Sequence, residues 1–158
     1  MNSVAFPESN LTELLISRLH NLRTIYIEET TQGDNLANLK HIRIQSCPKL
    51  KYVLSVGSFQ TLQNLEEITV HGFQAMEEME VDMGDMGEAN NNISVTLPRL
   101  KRLTLCFLPK LKSICKKILI CSSPVAISVS YCPMLKMLPF SINSLPSSLQ
   151  VITGDGRW

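Results

Sequence analysis

The stretch Leu39-Lys40-His41-Ile42-Arg43-Ile44-Gln45-Ser46-Cys47-Pro48-Lys49-Leu50 spaces its apolar residues as L-x-x-I-x-I-x-x-C-x-x-L. The Ile42/Ile44 pair alternates with polar residues, which is the two-residue period of a strand. The same offsets recur at Leu65, Ile68, Val70, Phe73 and Met76, and again at Leu100, Leu103, Leu105, Leu108 and Leu111. Pro124, Ile127, Val129, Cys132 and Leu135 repeat them with a substituted first position. Leu22, Ile25 and Ile27 begin in the same way, with Thr30 in the cysteine slot, and Leu149 and Ile152 start a partial copy that meets Gly154. An apolar chain of random order seldom reproduces five offsets four times, so the unit is a repeat.

Each unit is too small to bury its own apolar edge, and only stacking of neighbours makes a continuous core. β-branched residues dominate the strand pairs Ile25/Ile27, Ile42/Ile44, Ile68/Val70 and Ile127/Val129, as a packed pleated surface prefers. The Cys or bulky apolar residue three places after each strand reads as a buried turn residue. Counted from the first strand aliphatic, the copies start at 25, 42, 68, 103, 127 and 152, with intervals of 17, 26, 35, 24 and 25. Three intervals fall in the usual leucine-rich range of roughly 20–29 residues, one is short and one is long. The expected fold is therefore an α/β leucine-rich-repeat solenoid of right-handed coil. Short parallel strands line its concave face, with irregular loops and short helices on the convex face.

Residues 19–158 hold these repeats, and residues 1–18 read as an N-terminal helical cap or a remnant repeat. Leu11, Leu14, Leu15, Leu19 and Leu22 fall at helical spacing, with Asn10 and Glu13 as a capping box. The segment 77–92 carries Glu77, Glu78, Glu80, Asp82, Asp85 and Glu88 followed by Asn90–Asn92, and reads as an exposed acidic loop insertion. Its acids lack the alternating ligand spacing of a calcium loop. At the other end, Gly154-Asp155-Gly156-Arg157-Trp158 provides no polar capping unit, so a fragment or a terminal module is expected.

Composition excludes several classes. The chain has 158 residues, 44% hydrophobic and 18% charged, enough for one domain with a sizeable core. A formal net charge of +1 argues against nucleic acid or a membrane surface as partner. No apolar run approaches bilayer-spanning length, and Glu8, Glu13 and Arg18 interrupt any signal-peptide core. Five scattered cysteines point to free thiols in a reducing, cytoplasmic compartment. The sequons at Asn10 and Asn92 then read as chance matches.

Charge is nonetheless segregated. Between Lys51 and Arg99 there are eight acids and no lysine or arginine. From Arg99 to Gly154 the sign reverses, with Arg99, Lys101, Arg102, Lys110, Lys112, Lys116, Lys117 and Lys136 and no acid. One reading is a charged surface matched to a partner, with Arg99, Lys101, Arg102, Lys110 and Lys112 as a regulatory basic patch. The other is neutralisation between adjacent repeats, Glu66 and Glu67 beside Lys101 and Arg102, each pair worth only about 0.2–1 kcal/mol.

Stacked strands line up their outward residues as columns. The columns comprise Thr24, Tyr26 and Glu28; His41, Arg43 and Gln45; Glu67, Thr69 and His71; Arg102, Thr104 and Cys106; and Ala126, Ser128 and Ser130. From these, Tyr26, His41, Arg43, Glu67, Thr69, His71, Arg102, Thr104 and Ser128 are the candidate protein-binding residues, a mixture of groups suited to a protein interface. No phosphate-cradling glycine loop, C-x-x-C or H-E-x-x-H occurs, so no cofactor, small-molecule substrate or catalytic residue is assigned. A pair of Cys106 with His41 or His71 lacks an identifiable orienting group. Zinc held by Cys115 and Cys121 lacks a second ligand pair.

The repeats resemble the C-terminal leucine-rich repeats of plant coiled-coil nucleotide-binding disease-resistance proteins. The resemblance is carried by Leu62-Gln-Asn-Leu-Glu-Glu-Ile-Thr-Val70 and Leu97-Pro-Arg-Leu-Lys-Arg-Leu-Thr-Leu105. The C-P-x-L turns beginning at Cys47 and Cys132, Leu108-Pro-Lys-Leu-Lys-Ser-Ile114, and the closing Ile152-Thr-Gly-Asp-Gly-Arg-Trp158 add to it. It implies an intracellular immune receptor in plant defence, whose repeats bind a pathogen effector, a guarded host protein or the receptor's own nucleotide-binding module. The chain has no P-loop and no coiled coil, so nucleotide switching is not expected in it. A leucine-rich substrate adaptor of a ubiquitin ligase is the alternative, although no F-box is present.

Overall fold

Alternating aliphatic and outward residues produce a strand in every coil of the computed structural model, which describes residues 3–6, 10–27, 36–55, 61–81, 94–115, 118–122, 124–138, 140 and 147–155. Six strands form one sheet: β2 (Glu13–Ser17), β4 (His41–Gln45), β6 (Glu67–His71), β9 (Arg102–Cys106), β11 (Ala126–Ser130) and β12 (Val151–Gly154). Every neighbouring pair is parallel, and Leu14, Ile42, Ile68, Leu103, Ile127 and Ile152 stand in one register row. Behind this sheet run shorter parallel pairs: β1 (Ser3–Phe6) with β3 (Thr24–Ile27), β5 (Leu54–Ser55) with β7 (Glu80–Val81), and β8 (Val95–Thr96) with β10 (Leu119–Ile120). The parallel-strand solenoid is thus as the repeat pattern predicts. Where short helices were expected on the far side, the described residues carry these strand pairs.

The repeat offsets become layers of the core. Ile44, Cys47, Leu50, Leu65, Val70, Phe73, Met76, Leu105, Leu108 and Leu111 are all fully buried. The turns after β2, β4, β9 and β11 close in the same way, the amide of Leu22, Leu50, Leu111 and Leu135 donating to the carbonyl of Leu19, Cys47, Leu108 and Cys132. In two coils the slot cysteine also caps its own strand: Cys47 Sγ donates to the Gln45 carbonyl at 3.4 Å and Cys132 Sγ to the Ser130 carbonyl at 3.3 Å. The prediction of a buried turn residue holds at Cys47, Phe73, Leu108 and Cys132.

The helix expected from Leu11 to Leu22 is a strand of the main sheet. Leu14 and Ile16 are buried while Leu15, counted on the apolar helical face, is 61% exposed. The error has a physical origin. Leu11, Leu14, Ile16, Leu19 and Leu22 occupy the same repeat offsets as Leu39, Ile42, Ile44, Cys47 and Leu50, and steps of three and four residues also trace a helical stripe. Conversely, β3, taken as the first repeat strand, pairs with β1 in the rear row. With Leu14 as the first row member, the interval of 17 disappears and the series reads 28, 26, 35, 24 and 25. Of the long insertion, Glu80 and Val81 form β7, while Asp82, Asp85 and Glu88 lie outside the described residues.

At the end of five of the six main strands the chain turns through a left-handed residue. Arg18 (φ 58°), Ser46 (53°), Gly72 (78°), Phe107 (54°) and Tyr131 (53°) hold equivalent positions. Their amides continue the ladder: Ser46 N–H donates to the His71 carbonyl and Gly72 N–H to the Cys106 carbonyl. A side chain costs about 1–2 kcal/mol in this region, and only Gly72 escapes that cost. A Cβ on Gly72 would meet Ser46 at 3.6 Å, an ordinary contact, so space is not limiting. Gly72→Ala is therefore expected to destabilise by about 1 kcal/mol through backbone strain alone. A shift in the urea midpoint checks it, and an unchanged midpoint would contradict the strain argument.

Candidate protein-binding surface

The outward side chains of the main sheet form three columns. One runs Glu13, His41, Glu67, Arg102, Ala126; the next Leu15, Arg43, Thr69, Thr104, Ser128, Thr153; the third Ser17, Gln45, His71, Cys106, Ser130. The register thus brings together eight of the nine candidate residues. Tyr26 is the exception, because β3 belongs to the rear row, paired with Ala5 of β1. Thr24 leaves the face with it, and Glu28 lies outside the described residues.

The charged members of this face are linked. Glu67 sits between Arg43, at 3.4 Å, and Arg102, at 3.9 Å, and accepts a hydrogen bond from the Thr69 hydroxyl at 3.3 Å. One strand away, His41 Nδ1 lies 3.4 Å from Glu13. Both guanidinium side chains remain more than half exposed, so these pairs contribute little stability but hold the cations in place. The result is a zigzag of alternating charge with two accessible guanidiniums. Such groups suit recognition of carboxylates on a partner.

The five residues of the expected basic patch fall at the two ends of β9. Arg99, Lys101 and Arg102 lie at the start of β9, whereas Lys110 and Lys112 follow the turn at its other end. The strand between them spans about 13 Å at the usual rise per residue. Lys101 Nζ is 2.6 Å from Glu66 and Lys112 Nζ is 2.7 Å from Glu77, each an acid of the preceding coil. Hydrogen bonds from these lysines hold the Glu66 and Glu77 carboxyls below the usual range, and Glu77 raises Lys112. At Lys101, Arg102 and Lys112 the neutralisation between neighbouring repeats is therefore the arrangement observed.

Cys106 stands beside His71 across β6 and β9, but its sulfur accepts a hydrogen bond from Ser130 Oγ at 3.0 Å, and the His71 ring meets Phe107 edge-on. Cys115 and Cys121 are both buried and neither forms a disulfide. Among the described residues there is no group of three or more His, Cys, Asp or Glu side chains placed to hold a metal ion. No helix among them is long and apolar enough to cross a membrane.

One feature escaped the sequence. Phe107 and Tyr131 stack at 4.3 Å with planes 4° apart, and His71 caps the pair at 5.4 Å. They stand at one offset, four residues after Leu103 and Ile127. Aligning the repeats at that offset, rather than at the buried slot one residue later, reveals two successive aromatics. Their contact needed the left-handed turn, which aims both rings along the rim of the sheet.

Stacked coils that share one parallel sheet and one layered core define a leucine-rich-repeat protein. The chain matches the family model described as plant disease resistance protein RPS2-like, leucine-rich repeats, over residues 1–74 and 57–153. It belongs to that family. It is 32% identical over 149 residues to "Disease resistance protein At4g27190" of Arabidopsis thaliana, covering 94% of this chain and 14% of the relative. It is 30% identical over 158 residues to "Probable disease resistance protein At4g27220" of the same plant, covering 97% and 16%. The chain thus spans about one-seventh of the length of these curated relatives. No solved structure matches it significantly.

Proposed function

We propose that this chain is the recognition and regulatory module of a plant intracellular immune receptor. It acts in the cytoplasm by binding a pathogen effector, a guarded host protein or the receptor's own nucleotide-binding module. The reading rests on the in-register sheet face, where Arg43, Glu67 and Arg102 present fixed charges beside Thr69, Thr104 and Ser128. It draws further support from the two similar disease-resistance proteins. Recognition, and not catalysis, is the chemistry such a face performs: it offers many polar contacts on a rigid scaffold.

Co-precipitation with a separately supplied nucleotide-binding module tests the regulatory branch. Binding that weakens as salt rises is the expected result, because exposed guanidiniums act through screened charge. Charge reversal at Lys101 and Arg102 is expected to weaken that docking, partly by repelling their partners Glu66 and Glu67. Unchanged affinity at low salt would remove these two residues from the interface. Absence of any binding by folded chain would overturn the regulatory branch and leave an external protein as ligand.

A further inference from the structure

The rim pocket beside Tyr131 has no part in the charge zigzag of the sheet. It is an open cavity of about 260 Å³ lined by Gln74, Phe107, Pro109, Tyr131, Pro133 and Asp155. Phe107 and Tyr131 are 44% and 58% exposed, although stacking has already covered one face of each ring. Both hold the strained left-handed conformation. The equivalent Ser46 and Gly72 show that the turn itself requires no aromatic residue.

Asp155 determines what the pocket accepts. Its Oδ2 accepts a hydrogen bond from the Tyr131 backbone N–H, which anchors a carboxylate beside the ring. An aromatic face is negative at its centre, so ring and carboxylate together favour a cation and repel an anion. A neutral apolar ligand would desolvate the carboxylate and offer it no new charge or hydrogen bond. Proline walls and flat stacked rings suit a planar, weakly hydrated cation on an aliphatic stem better than a compact, strongly hydrated ammonium.

We infer that this pocket is an arginine-binding subsite for a partner polypeptide, the guanidinium stacking on Tyr131 and pairing with Asp155. The inference rests on the protein-recognition reading above and specifies one contact within it.

The test uses the 158-residue chain and the peptide acetyl-Gly-Arg-Gly-amide, followed through backbone amide NMR shifts. Saturable shifts at Tyr131 and Asp155 are expected. The peptide with citrulline in place of arginine, neutral but of the same shape, should bind about tenfold more weakly, having lost a charge-assisted hydrogen bond. Asp155→Asn should lose about as much, and Tyr131→Gly, which the left-handed backbone accepts, should abolish the shifts. Tyr131→Phe should retain them, which separates ring stacking from disturbance of the fold. No saturable shift, or equal binding of arginine, lysine and citrulline peptides, would overturn the subsite. Should the arginine peptide fail to bind the unmutated chain while that chain still co-precipitates a partner, the subsite falls and the broader recognition reading stands.

Discussion

Replacing Phe73 with alanine is expected to lower stability by about 3–5 kcal/mol, the range for emptying a buried aromatic site. Phe73 is fully buried and fills the turn slot that Cys47, Leu108 and Cys132 occupy in other coils. Its phenyl ring is the largest group in that row, and its backbone is tied to the next coil by a hydrogen bond from its N–H to the Phe107 carbonyl at 3.2 Å. The stacked layers above and below hold their spacing through the sheet, so they cannot collapse into the void. Because each coil contacts only its neighbours, the loss should appear first as faster hydrogen exchange at the amides of β6 and β9. Leu15→Ala, on the exposed face of β2, is the control and should change stability by less than about 0.5 kcal/mol. A Phe73→Ala effect as small as the control's would show that the slot is not a packed site.

Cys121 is expected to resist alkylation about a thousandfold more in the native protein than in urea. Burial, reinforced by nearby Cys115, pushes its thiol from 9.0 up to about 12, and the thiolate is the reactive form. Mass-spectrometric counting of iodoacetamide adducts at pH 8 checks this, and native labelling of Cys121 at the unfolded rate would refute it. The same shift predicts alkaline sensitivity. The folded thiol keeps its proton where the unfolded one has lost it, so its contribution is complete below about pH 9 and declines above. The slope is about 1.4 kcal/mol per pH unit, giving a loss of about 1.4 kcal/mol near pH 10. Burial raises Cys47 and Cys132 in the same direction. The urea midpoint should therefore fall between pH 7.5 and pH 10, and Cys121→Ala should flatten that fall.

At the acid end the sign is opposite. Glu66 and Glu77 are held below their usual range by Lys101 and Lys112, so what they contribute is present at neutral pH and fades as pH falls through their lowered values. Glu77 is exposed and Glu66 partly so, and such surface pairs orient side chains more than they stabilise the fold. This limits what the charge segregation means. In a solenoid an acidic coil lies directly against a basic one, and Lys101 and Lys112 each meet an acid 35 residues earlier in the chain. A sequence read as blocks of charge shows the segregation but not the contact that cancels it.

The order of the sheet face was legible for a related reason. Side chains alternate in a strand, and parallel in-register stacking converts equal offsets into straight columns, so His41, Glu67 and Arg102 could be aligned from spacing alone. That logic failed where two periods coincide. Leu11, Leu14, Leu19 and Leu22 satisfy both the repeat and a helix, and only the burial of Ile16 with exposure of Leu15 separates them. The mistaken start at Ile25 then carried Tyr26 onto a face it does not occupy.

Local chemistry by itself determined that the chain forms stacked coils, because no single L-x-L unit can bury its edge and the aliphatic offsets repeat from Leu39 to Leu135. It determined the buried turn slot and most of the outward columns as well. Tertiary structure alone decided which strand begins the main sheet, which lysines are neutralised and where aromatic rings meet. Those outcomes depend on contacts between residues 24–35 positions apart, as in Phe107 on Tyr131 or Lys112 on Glu77, and on a left-handed turn that aims side chains along the rim. Spacing within one coil specifies direction in or out of the core, whereas a partner across coils is specified only once the coils are stacked.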